Sequence, residues 1–295
     1  MFSVLYPLTG YMNAVDENGF LKEILIPGED WELIGEGYRF SEGTTVNREG
    51  IVYFNDIQAS IGYWIDGDKP VQWCSNTNKA IGQTFGADGV SLFTVSWGVP
   101  EVIRFDRDGN RTVFATGNKG NDIVCHPSGN LYMTNPPGIQ AGENEISRIW
   151  MIRPNGERVM VYEGIRFTNG IALSPDGKIL YVNDWRLFHV YRFPVHEDGT
   201  LGKPECFIEL SKPAEETSAG SDGMRIDSEG RIWVTTSLGI QVFDSTGIAL
   251  GILKGPEGRQ SHMVFGDPNF DTLYLTTVKA IYRRKLNVRG VNPWD

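Results

Sequence analysis

Apolar positions along this chain recur in short runs, and nowhere at the sustained 3.6-residue period of a long amphipathic helix. Six segments share one pattern: a polar or small residue, four mostly apolar residues, a turn ending in Gly or its equivalent, then an apolar strand. They read EGTTVNREGIVYFND from Glu42, IGQTFGADGVSLFTVS from Ile81, NDIVCHPSGNLYMTN from Asn121, NGIALSPDGKILYVND from Asn169, DGMRIDSEGRIWVTT from Asp222 and SHMVFGDPNFDTLYLTT from Ser261. Five place a Gly eight residues after the first position, at Gly50, Gly89, Gly129, Gly177 and Gly230. The sixth has Asn269 there, a residue that tolerates left-handed geometry. The first positions stand 39 to 53 residues apart, the length of a four-stranded propeller blade.

Each unit opens with a hairpin, as at Ser174-Pro-Asp-Gly177, and leaves room for two further strands. The pattern predicts an all-β fold, a six-bladed β-propeller of four-stranded antiparallel blades around a central channel. Residues 31–295 form this single domain and residues 1–30 an N-terminal extension. A strand-like run over 31–40 precedes the first repeat and is expected to complete the last blade, closing the ring and removing an exposed edge. The longer third and fourth units accommodate loops over one face, in residues 136–145 and 211–221.

In a propeller the innermost strand of each blade lines the channel, so equivalent repeat positions form a ring. Here the ring is Glu42, Ile81, Asn121, Asn169, Asp222 and Ser261. Four of these are carboxylates or amides, the oxygen donors that hard cations prefer. Cys and His are absent from the ring, which favours Ca2+, Mg2+ or Mn2+ over a thiolate-bound metal. Two carboxylates held close together would otherwise repel. His262 directly follows a ring position and is expected near the channel mouth, structural or touching substrate. Asp56, Asn135 and Asp184 end second strands and are expected to brace the site through backbone hydrogen bonds. The tryptophans, Trp64, Trp73, Trp97, Trp185 and Trp233 among them, are expected to pack in the core or between blades, with pocket lining by one or two the lesser alternative. The run from Asp106 to Asn110 lacks the Glu of a calcium-binding loop at its twelfth position and reads as a hairpin turn.

Composition narrows the function classes. The net charge is -10, with no Lys/Arg stripe of the kind that holds phosphates, so nucleic acid is not an expected partner. Three cysteines without zinc spacing imply neither a metal knuckle nor a disulfide framework. No apolar stretch approaches the ~20 residues of a membrane span. The start of the chain, residues 1–10, is mildly apolar without a basic region before it, so a cytoplasmic protein acting on a small molecule is expected.

The segments FSEGTTVNREGIVYFNDI, NDIVCHPSGNLYMTNPP, FTNGIALSPDGKILYVNDW and SDGMRIDSEGRIWVTTS resemble the regucalcin/gluconolactonase/luciferin-regenerating-enzyme family over roughly residues 31–285. The resemblance implies a six-bladed propeller with one catalytic divalent cation held by Glu42, Asn169 and Asp222. Ca2+ leads, ahead of Zn2+, Mg2+ or Mn2+. It implies a metal-dependent lactonase opening a sugar lactone, with Asp222 accepting the proton of the attacking water and Asn121 touching substrate or joining the metal shell. Two residues before Asn121, where relatives can carry a substrate-binding Arg, this chain has Lys119, a point donor without Arg's fork. Ile81 replaces a residue often polar in relatives. A phosphotriesterase-like or other ester hydrolase, and a non-catalytic calcium-binding propeller, remain open on the same residues.

Overall fold

The structure, a computed structural model, describes residues 19–117, 119–138, 142, 145–218 and 220–294. The reading of residues 1–10, residues 1–18 of the expected extension and parts of the two expected loops lie outside the described residues.

Six four-stranded antiparallel sheets account for the strands, one per repeat, and form a six-bladed β-propeller. The innermost strands are Ser41–Val46, Ala80–Phe85, Ile123–Cys125, Thr168–Leu173, Met224–Ile226 and Gln260–Gly266. Blade four shows the plan: Thr168–Leu173 pairs with Ile179–Asp184, then His189–Pro194, then Glu205–Glu209, with Ile171 opposite Val182 and Leu173 opposite Leu180. Apolar side chains alternate out of each sheet into the layers between blades. Trp233, fully buried, meets Phe265 of the next blade edge-on, with ring centroids 5.3 Å apart. The strand Glu32–Glu36 pairs with Ala280–Lys285 and becomes the fourth strand of the last blade, closing the ring as expected. Arg283 pins the seam, reaching Glu32 at 2.7 Å and Asp68 of the first blade at 2.6 Å.

The repeat glycines Gly50, Gly89, Gly129, Gly177 and Gly230 all turn left-handed, with φ between 67° and 85°. The sixth hairpin differs from expectation. Its left-handed residues are Asp267, with φ 63°, and Phe270, with φ 55°, and not Asn269. The innermost strand there runs one residue further, and the Phe270 N–H donates to Asp267 O at 2.9 Å as Gly177 donates to Ser174 O. Burial of the Phe270 ring in the core between blades offsets the backbone cost.

What positions the site is the approach of neighbouring innermost strands. The residue after the ring position is Gly in four blades, at Gly43, Gly82, Gly170 and Gly223. A Cβ on Gly43 would lie 1.8 Å from Ile81 O, and one on Gly170 would lie 2.3 Å from Asp222 O. Bulges fall at this place in the strands Ser41–Val46, Ala80–Phe85, Thr168–Leu173 and Gln260–Gly266, re-aiming the ring side chains. Three ring carbonyls are then clamped by side chains of the preceding blade. Thr134 Oγ1 donates to Asn169 O at 2.8 Å, Asn183 Nδ2 to Asp222 O at 2.6 Å, and Thr235 Oγ1 to Ser261 O at 3.1 Å.

Two outcomes follow for stability. Gly170→Ala should lower the urea-unfolding free energy by about 1–3 kcal/mol through overpacking against blade five; a loss under about 0.5 kcal/mol, typical of an open surface position, refutes the close-approach account. Phe270→Gly removes a left-handed strain of about 1 kcal/mol but a buried ring worth about 3–5 kcal/mol, so a net loss is expected, and a more stable variant contradicts it.

Candidate functional site

Glu42, Ile81, Asn121, Asn169 and Asp222 line one pocket at the channel mouth, which encloses about 520 Å³. Lys119 joins them at the rim. Phe40, Trp97, Phe167 and Trp185 form apolar walls, Phe40 with Trp97 edge to face and Phe167 against Trp185 at 5.3 Å. Asp56 holds the first wall by accepting the Phe40 N–H at 3.1 Å. Asp184 accepts the Arg166 N–H at 3.2 Å beside the second. Both do the bracing expected of them. Asn135 donates to Lys119 O at 2.9 Å, tying the rim lysine's backbone.

Ser261 and His262 do not line this pocket. The Ser261 hydroxyl is turned into the seam, donating to Ser41 O at 2.9 Å. His262 lies buried on the channel axis, with Nδ1 2.9 Å from Thr44 Oγ1 and Nε2 3.3 Å from Asp122 Oδ2. At the position after the ring residue, blades three and six carry Asp122 and His262 where the other four carry Gly. The space those glycines leave lets the two side chains meet across the channel. Burial, together with the Arg225 charge, holds the His262 imidazole below its ordinary pKa. Burial pushes the Asp122 carboxyl up, but His262 and Arg225 outweigh it and the group sits below the usual range.

The two pocket carboxylates are electrostatically strained. Burial, then the charge of Asp222, pushes the Glu42 carboxyl well above the ordinary range. Burial raises Asp222 to about 6 against the pull of Arg259. Glu42 Oε2 and Asn169 Oδ1 are both buried without a hydrogen-bond partner. The Asn169 amide is oriented by its Nδ2, which donates to Ser221 O at 3.1 Å. Orphaned oxygens from two blades, beside the Asp222 carboxyl of a third, are a donor set that a hard divalent cation fits. Among the described residues no group of three His, Cys, Asp or Glu has metal-holding geometry, because amides supply part of this set.

Arg259 was not singled out from the sequence. It ion-pairs with Asp222 Oδ2 at 2.9 Å from the pocket rim. A repeat-phase signal exists: Arg259 precedes ring residue Ser261 by two, as Lys119 precedes Asn121, Phe40 precedes Glu42 and Phe167 precedes Asn169. These four form a second tier above the ring. At the far end of the acidic run 106–110, Asp106 accepts from Asn110 N at 2.8 Å, confirming a hairpin turn there.

Residues 40–279 match the family described as the SMP-30/Gluconolactonase/LRE-like region. A pentonolactonase of Haloferax volcanii is 27% identical over 231 residues, covering 77% of each chain. A gluconolactonase of Zymomonas mobilis is 26% identical, covering 71% of this chain and 64% of its own length. Among solved structures, a calcium-binding regucalcin from Agrobacterium tumefaciens superposes with a TM-score of 0.77 at 20% identity, over 89% of this chain and 95% of that one. With six blades, the repeat-phased mouth and this match over most of its length, the chain belongs to the SMP-30/gluconolactonase/LRE-like family.

Proposed function

We propose that this protein is a metal-dependent lactonase opening a sugar lactone, with a divalent cation, Ca2+ foremost, held by Glu42, Asn169 and Asp222. The observation that carries the reading is the pair of buried carboxyls, Glu42 and Asp222, with unpartnered oxygens on Glu42 and Asn169, at the floor of one pocket. Relatives named for lactone hydrolysis support the reaction class. A cation there supplies Lewis-acid polarisation of the lactone carbonyl and stabilises its oxygen as charge develops.

The chain's own residues do the rest. The aromatic walls seat the ring of the substrate and exclude solvent, while Asn121 and Lys119 orient its hydroxyl groups. Asp222, whose carboxyl lines the pocket floor, serves as the general base. It takes the proton of the attacking water at Oδ1, leaving Oδ2 to Arg259. The water oxygen bonds to the carbonyl carbon, the ring C–O bond breaks, and the proton passes to the departing alkoxide, giving a hydroxy acid. His262, below the ring, positions Thr44 and Asp122 and stands away from the substrate.

Removing cations with EDTA should lower the thermal midpoint and abolish lactone hydrolysis, and restoring a cation at a hundredfold over its Kd adds about 2.7 kcal/mol, or about 5 °C. A midpoint and a turnover both indifferent to EDTA contradict the metal assignment. Asp222→Asn and Glu42→Gln should each reduce kcat/KM by about a hundredfold or more. Glu42→Gln should also hold or raise the cation-free midpoint, because it removes a buried like charge, while losing the cation-induced gain. Normal hydrolysis and a normal cation response in both variants would sink the scheme.

A further inference from the structure

The charged side chains of the pocket do not balance once its carboxylates are engaged. Among the described residues, its charged lining residues are Glu42, Asp222, Lys119 and Arg259. Without a cation, two carboxyls face two basic groups. With a divalent cation on Glu42 and Asp222, as in the reading above on which this inference rests, the carboxylates are neutralised and both basic groups are left over. The mouth then carries two uncompensated positive charges in a protein whose overall charge is -10. This holds whether Arg259 keeps its contact with Asp222 or releases it.

The placement of the two cations is informative. Lys119 precedes blade three and Arg259 precedes blade six, so they stand on opposite sides of the six-fold ring. Phe40 and Phe167 occupy the same tier on blades one and four, also opposite each other. A flat ring seated over the floor therefore has apolar walls along one direction and cations along the other. The Arg259 side chain is 53% exposed, and among the described residues its ion pair uses Nη2 on Asp222 Oδ2. A guanidinium carries five N–H donors, so donors remain for a second anion at the mouth. In the partly enclosed pocket such a contact is screened less than on open surface.

We propose that the preferred substrate is a lactone bearing an anionic substituent, a carboxylate or a phosphate, away from the scissile carbonyl, and that Arg259 is the residue that selects it. The uncharged sugar lactone of the same ring leaves Lys119 and Arg259 without a counter-charge and is the poorer substrate.

The test uses the full-length, cation-loaded protein and three lactones that share one ring: glucono-1,5-lactone, its 6-phosphate ester and the analogue with a carboxylate at C6. At least one anionic lactone should show a kcat/KM tenfold or more above the neutral one, and the phosphate and carboxylate arms identify which anion fits. Raising the salt concentration should shrink that ratio. Arg259→Gln should collapse it, and Arg259→Lys, which keeps the charge and loses the fork, should restore part of it. A binding arm is independent of turnover: calorimetry with the open-chain C1,C6-dicarboxylate against the C1-monocarboxylate should give a tenfold tighter Kd for the first, lost on EDTA treatment and in Arg259→Gln. Equal kcat/KM for all three lactones with equal Kd for the two acids overturns the inference. So does an Arg259→Gln variant that lowers every substrate by the same factor. Tighter dicarboxylate binding without hydrolysis of any lactone would instead refute the hydrolase reading and leave the anion selection standing.

Discussion

Everything at the channel mouth depends on how closely six backbones come together around one axis. Cβ atoms at Gly43, Gly82, Gly170 and Gly223 would drive into the neighbouring blade, so side chains there would hold the blades apart. With glycine, the ring residues just before them converge, and the carbonyls of Asn169, Asp222 and Ser261 are clamped by Thr134, Asn183 and Thr235 of the preceding blades. The floor of the pocket is rigid because backbone groups define it, and the chemistry sits on side chains one residue away.

That geometry stacks the channel mouth in tiers. The repeat position supplies Glu42, Asn121, Asn169 and Asp222; the position two residues earlier supplies Phe40, Lys119, Phe167 and Arg259; the position one residue later supplies four glycines, Asp122 and His262. Each tier has a distinct character: oxygen donors in the middle, walls and cations above, a buried carboxylate–imidazole pair below. The buried pair is fully enclosed, and His262 Nδ1 and Nε2 are each within hydrogen-bond reach of a partner. Asp122 Oδ2 also accepts the Ile171 N–H at 3.2 Å, so with Thr44 the pair ties four blades under the floor. This is the satisfied condition in which a buried polar network adds specificity.

The blades, their number and the ring were legible because they rest on a repeated signal, an apolar run and a glycine at fixed phase. Closure by the strand around residue 34 was legible for the same reason, as the only strand-like run left over before the first repeat. Arg259 was missed because its repeat phase mixes aromatic, basic and glycine residues and has no common residue type to mark it; only the phase reveals it. His262 was expected nearer the mouth, but strand alternation and the bulge between Gln260 and His262 turn it under the ring, a one-residue effect that sequence pattern does not carry. The sixth hairpin deceived for a similar reason. Asn269 has the right chemistry for a left-handed turn, yet the register of the strand placed Phe270 there, where tertiary burial overrides local preference.

The seam where Glu32–Glu36 joins Ala280–Lys285 unites segments that are almost at opposite ends of the described chain. Glu42 lies on the blade immediately after that seam, and Asp222 and Arg259 on the approach to it. During synthesis the first blade must wait for the last to leave the ribosome before these groups face one another. A nascent or partly unzipped chain therefore has blades but no assembled pair of carboxylates, so ligand competence arrives with the final strand rather than accumulating blade by blade.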